Sequence, residues 1–163
     1  MRSRFEIVNR LMNFVSANEL VYSPLDSAPL YRRTRVYDID YSGSSEGLRH
    51  FVRGVLTDEI VEEIMEDGRP TAAEGTAALD VFLKPGVLDL EKEYILRYAN
   101  GARPANLEIH DLAIIQRYYI QHPCEEADIR RIVGDLVNPV IQDWSICLPP
   151  CLPAGRAGGR SDA

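Results

Sequence analysis

Positive charge is scarce in this chain and nowhere clustered. Eighteen lysines and arginines stand against 25 aspartates and glutamates, a formal charge of −7 over 163 residues. Proteins that grip nucleic acid by its phosphates gain affinity from clustered cations that release counterions, so nucleic acid is not an expected partner. The densest basic stretch, Tyr31-Arg32-Arg33-Thr34-Arg35, is followed at once by Asp38 and Asp40. Long apolar runs are missing as well. None approaches the roughly 18 residues of a membrane span. Asn9 and Arg10 interrupt the N-terminal apolar residues, unlike a signal peptide, so a cytoplasmic protein without membrane contact is expected.

Cysteine is sparse, and three is an odd number, which fits a reducing compartment. Cys147 and Cys151 are spaced C-x3-C, but no further ligand completes a zinc site, and no metal or other cofactor is expected in this chain. Phosphate-binding glycine loops, paired-histidine zinc motifs and nucleophile elbows do not occur. The carboxylate neighbours Glu62-Glu63 fall on opposite faces of a strand, and Glu125-Glu126 suit the first turn of a helix. No catalytic residue is expected.

What the chain does have is an internal repeat. Shifting Arg35–Met65 by 81 positions places Tyr37 on Tyr118, Ile39 on Ile120, Leu48 on Ile129, Phe51 on Ile132, Val52 on Val133 and Ile60 on Ile141, without a gap. Apolar residues matched at a fixed offset mark a repeated structural unit. The expected organisation is a first, degenerate repeat over 1–66, a linker over 67–76, a second repeat over 77–146 and a disordered tail over 147–163.

Periodicity supplies the elements. Residues 4–20 read as a short strand running into a helix, and 23–29, with two prolines, as a loop. Tyr37, Ile39 and Tyr41 alternate as one face of a strand. Ser44 or Ser45 then caps a helix whose apolar stripe is Leu48, Phe51, Val52, Val55 and Leu56. In the second half a strand through Leu79, Val81 and Leu83 stops at Pro85-Gly86. Asp89 caps a helix whose apolar face is Leu90, Tyr94, Ile95 and Tyr98, and Asn100-Gly101 provides its left-handed stop. A strand over 112–121, divided in its vicinity by Glu108–Asp111, leads to a helix bearing Ile129, Ile132, Val133, Leu136 and Val137, and then to a last strand over 140–146. Each half thus reads β-α-β-α-β, giving an α+β protein of two tandem ferredoxin-like units with helices on antiparallel sheet.

Three stretches of the second half carry a resemblance. Leu79–Ile95 (LDVFLKPGVLDLEKEYI) resembles the opening strand, Lys-Pro-Gly turn and helix of the PurS family. Leu112–Gln121 (LAIIQRYYIQ) is similar to that family's central strand, and Leu136–Ile146 (LVNPVIQDWSI) to its closing signature. The first half carries only the later part, in Tyr37, Ile39 and Leu56–Ile64. The resemblance implies a non-catalytic subunit of phosphoribosylformylglycinamidine synthase in purine biosynthesis, duplicated as in the N-terminal region of the single-chain enzyme. Its partners would be the ATP-dependent synthetase (PurL-type) and the glutaminase (PurQ-type), with ATP and magnesium bound by the synthetase. Two copies in one chain would make an internal pseudo-dimer, with further homo-oligomers open to it. On this reading Lys84, Arg117, Tyr118, Tyr119, Arg35 and Tyr37 contact the partners. The rival reading is a regulatory domain of paired ferredoxin-like units that senses a small metabolite.

Overall fold

Alternation at the N-terminus makes a strand and goes no further. The computed structural model, which describes residues 1–68, 76–102, 106–121 and 125–148, opens with β1 (Arg2–Asn9). The helix expected after it does not form. A two-residue strand, β2 (Val15–Ser16), and a 3-10 turn over Ala17–Leu20 take its place. The cause is local. Asn9 Oδ1 accepts a hydrogen bond from Leu11 N at 2.9 Å, and Ser16 Oγ accepts one from Asn18 N at 3.3 Å. Short polar side chains that bond nearby amides compete with the helical ladder. Leu11 and Met12, members of the apparent helical stripe, are left in solvent.

The chain continues through β3 (Leu30–Gly43), α1 (Ser45–Phe51) with a π-helical turn over Val52–Leu56, β4 (Glu62–Glu66) and β5 (Thr76–Leu83). Then come α2 (Leu90–Ala102), β6 (Leu107–Gln121), α3 (Glu126–Leu136) and β7 (Gln142–Cys147). Among the described residues the protein is α+β, with an antiparallel sheet ordered β4-β1-β3-β6-β5-β7 and β2 paired to β3. Two expectations fail here. β6 is not divided at Glu108–Asp111; the Asp111 carboxylate meets Lys92 Nζ at 2.6 Å, and that hydrogen bond holds it below its ordinary pKa. Nor does Asn100-Gly101 stop α2, which runs through both to Ala102 with no left-handed residue at Gly101. A glycine inside a helix costs only about 1 kcal/mol relative to alanine, too little to end it.

Two compact units emerge, and they are not the sequential halves 1–66 and 77–146. One comprises Met1–Asn13, Thr34–Arg69 and Phe82–Gln116; the other comprises Phe14–Arg33, Pro70–Val81 and Arg117–Ala163. β3 and β6 each belong partly to both. Within the first unit the strands run β4-β1-β3-β6, and β1 is flanked on both sides, with Phe5 opposite Tyr37 of β3 and Glu66 of β4. Its core packs Phe5 and Ile7 of β1, Tyr37, Ile39 and Tyr41 of β3, and Leu107 and Ile109 of β6 against Leu48, Phe51 and Val52 and against Ile95 and Ala99 of α2. The second unit gathers Leu79 and Val81 of β5, Tyr118 and Ile120 of β6, Ile132 and Val137 from α3 and its end, and Ala17 and Leu25. Of the expected linker, 69–75 lie outside the described residues. Of the expected tail, Cys147 closes β7 instead and 149–163 lie outside them.

The repeated segment can be followed bond by bond. Ser44 Oγ caps α1 by accepting from Gly47 N at 3.0 Å, and Glu125, 81 positions on, caps α3 in a capping box with Asp128. After each helix the chain makes the same turn. Glu62 Oε2 accepts from Asp58 N and Asp58 Oδ1 accepts from Ile60 N; Gln142 Oε1 accepts from Asn138 N and Asn138 Oδ1 accepts from Val140 N. Those turns lie 80 positions apart, not 81. The first copy therefore holds one extra residue between cap and turn, and the π-helical turn Val52–Leu56 absorbs it, since i→i+5 bonding accommodates one more residue than the α ladder. The gapless pairing of Ile60 with Ile141 is corrected accordingly. Ile60 corresponds to Val140, and both are exposed, at 87% and 78%.

Candidate functional site

The extra residue has a consequence at the surface. Val55, expected as a core member of the helical stripe, is 40% exposed, while Leu56 turns in against the core. Val55 forms one wall of an open groove of about 550 Å³ within the first unit. Arg35 and Tyr37 of β3, Leu56, and Glu91, Tyr94, Ile95 and Tyr98 of α2 complete its lining. π-Helical turns of this kind occur often at functional sites.

α2 buries a different face from the one its periodicity predicts. Its buried residues are Ile95 and Ala99, with Leu96 partly covered. Leu90, Tyr94 and Tyr98, expected on the core face, stand 73%, 76% and 53% exposed. The helix carries two apolar stripes about one residue apart, 90/94/98 and 95/99. The small Ala99 lets the second approach the sheet, whereas a tyrosine keeps its hydroxyl wet at no cost. That alanine, four residues after Ile95, was the available signal.

The polar part of the groove is a fixed triplet. Arg35 Nη1 donates to Tyr37 Oη at 3.0 Å and to Glu91 Oε1 at 3.0 Å. Burial pushes the Tyr37 phenol above its ordinary pKa, against the opposing pull of the Arg35 hydrogen bond. Burial also pulls on Arg35 downward, but Tyr37, Glu91 and Glu62 outweigh it and the guanidinium is held more firmly charged. Among the described residues the groove lining contains no imidazole, thiol or serine hydroxyl. A second depression, about 900 Å³ and shallower, lies beside it around His50, Arg53 and Thr57, with Arg53 Nε 3.3 Å from Glu59 Oε1.

The six partner-contact residues expected from the sequence are dispersed. Arg35 and Tyr37 meet in the groove. Lys84 is half-buried at the end of β5, where its carbonyl accepts from Val87 N in the Pro85-Gly86 turn. The side chains of Arg117, Tyr118 and Tyr119 are interior, at 0%, 7% and 6% exposure. Arg117 forks onto Asp80, with Nε 2.6 Å from Oδ1 and Nη2 2.9 Å from Oδ2. The Tyr118 ring packs against Tyr31 with centroids 6.1 Å apart. A bidentate guanidinium-carboxylate pair satisfies both groups and makes the burial of charge tolerable, which sequence neighbours such as Tyr118-Tyr119 do not reveal.

Among the described residues no helix is long and apolar enough to cross a membrane, and no group of three or more histidine, cysteine or acidic side chains is placed to hold a metal. No family model matches the chain, and neither the curated proteins nor the solved structures contain one that is detectably similar to it.

Proposed function

We propose that this chain is a non-catalytic bridging module of phosphoribosylformylglycinamidine synthase, built from two ferredoxin-like units of the PurS kind. It joins the ATP-dependent synthetase to the glutaminase and supports passage of ammonia between them. The observation that carries the reading is the repeat, with its matched helix caps and matched Asp58/Glu62 and Asn138/Gln142 turns, in a chain that resembles PurS in three ordered stretches. The strand order β4-β1-β3-β6 in the first unit, with α1 and α2 on its core, supports the ferredoxin-like description. One chain then does the work of a dimer, because linkage replaces association with a high effective concentration. The groove of Tyr94, Tyr98 and the Arg35–Glu91 pair is the partner-facing surface; exposed tyrosine and arginine are the residue types that dominate protein interfaces.

The test is reconstitution with the synthetase and glutaminase subunits. A ternary complex and glutamine-dependent activity that requires this chain are expected, and Tyr94→Ala with Tyr98→Ala weakens assembly about tenfold or more without unfolding the protein. No complex and unchanged activity would sink the reading. The groove volume favours a second one, a small-metabolite sensor, since ligand sites measure roughly 300–1,000 Å³. A thermal-shift screen with amino acids and nucleotides separates the two, a ligand at 100 times its dissociation constant adding about 2.7 kcal/mol.

A further inference from the structure

The two ends of the strand order are chemically unlike. β4, which ends the first unit's order, carries Glu62, Glu63 and Glu66 among its five residues. β7, which ends the second unit's order, has one charged residue, Asp143, among six. Around β7 lie exposed large apolar side chains: Trp144 at 42%, Ile141 at 38%, and Val140 and Leu148 beyond the strand ends. Natural sheets protect an edge with charge against pairing with another chain, and β4 is protected in this way. β7 is not.

We infer that β7 is an interface between two copies of this chain, pairing antiparallel with the β7 of its partner about a two-fold axis. The register that pairs the whole strand is centred between Trp144 and Ser145. It sets Trp144 opposite Ser145, Asp143 opposite Ile146 and Gln142 opposite Cys147, so no like charges face each other. The same operation on β4 sets Glu62 opposite Glu66 on both sides of the axis, an arrangement that cross-strand repulsion disfavours. Pairing β7 of one copy with β4 of the next is disfavoured on charge, because β7 offers no lysine or arginine to receive the β4 glutamates. A closed dimer through β7 alone satisfies both constraints.

Light scattering coupled to size exclusion, run on the full chain over a concentration series, reads the result. Twice the 18.3 kDa chain mass is expected. The variant carrying Trp144→Lys and Ser145→Lys places lysine opposite lysine twice and weakens the dimer about tenfold or more. The variant carrying Trp144→Glu and Ser145→Glu does the same with glutamate. Mixing the two restores a dimer that contains one of each, which a merely misfolded variant cannot do. On the unaltered protein, amide hydrogen exchange across β7 slows as concentration rises while exchange across β4 stays constant. A monomeric mass at every concentration, a dimer that survives the double lysine variant, or β7 amides equally protected in dilute and concentrated protein would each overturn the inference. The last outcome would mean that the strand is covered within one chain or by a different protein.

Discussion

Arg117 illustrates how much one side chain can decide. Its guanidinium is fully buried against an Asp80 carboxylate that is itself mostly covered, so removing either partner leaves an uncompensated charge in the interior. Arg117→Ala is expected to destabilise by about 3–5 kcal/mol, and the Arg117→Ala, Asp80→Ala double variant by less than the sum of the two singles. Urea melts of the four proteins measure the coupling. Arg117→Lys rescues little, because an ammonium cannot reproduce the planar fork. Tyr37 makes a prediction in pH. Its folded pKa is raised by burial, so the folded state keeps a proton that the unfolded state gives up near pH 10. The contribution is therefore intact below that pH, declines as pH rises through it, and is gone once the buried phenol ionises. Stability falling more steeply from pH 9 to 11 in the wild type than in Tyr37→Phe is the expected result, measured by denaturant melts across that range.

At the scale of elements, each helix is set by its cap and its exit turn. Ser44→Ala removes the acceptor for Gly47 N and is expected to cost about 1 kcal/mol, read as a shifted urea midpoint at unchanged slope. β3 ends at Gly43, whose φ of 102° suits glycine and whose missing Cβ leaves room for the Asn106 carbonyl, to which Ser44 N donates at 2.6 Å. The π-helical turn is the element with a functional reading. Gly54 lies inside it with open space around it, so deleting Gly54 is expected to return the segment to the α ladder of its repeat. Circular dichroism should show the fold retained. On the bridging function proposed above, binding to the synthetase and glutaminase falls, because Val55 leaves the groove lining.

Over the whole molecule the decisive feature is that neither compact unit is continuous in sequence. The first unit's core draws Ile95, Ala99, Leu107, Ile109 and Leu112 from the second half of the chain. Large buried apolar side chains contribute about 1.5–3 kcal/mol each, so losing several exceeds the 5–15 kcal/mol of a typical domain. Residues 1–68 and 76–163 produced separately are expected to be unfolded alone and to fold when mixed. Dispersed amide signals appearing only in the mixture would show it, and an independently folded 1–68 fragment would refute it.

Much of this was legible along the chain. The Tyr37/Ile39/Tyr41 alternation, the Leu48/Phe51/Val52 stripe, the Ser44 and Asp89 caps and the repeat itself depend on neighbours a few residues apart, and local sterics and hydrogen bonding settle those. Which of two competing stripes on α2 is buried, why Tyr94 and Tyr98 face water, why Val55 leaves its row and where Arg117 finds its carboxylate were decided only by tertiary packing. Those outcomes depend on which surface arrives opposite a side chain, and here that surface often comes from a segment tens of residues away. Periodicity fixes what each element offers, and the fold chooses which offer is taken.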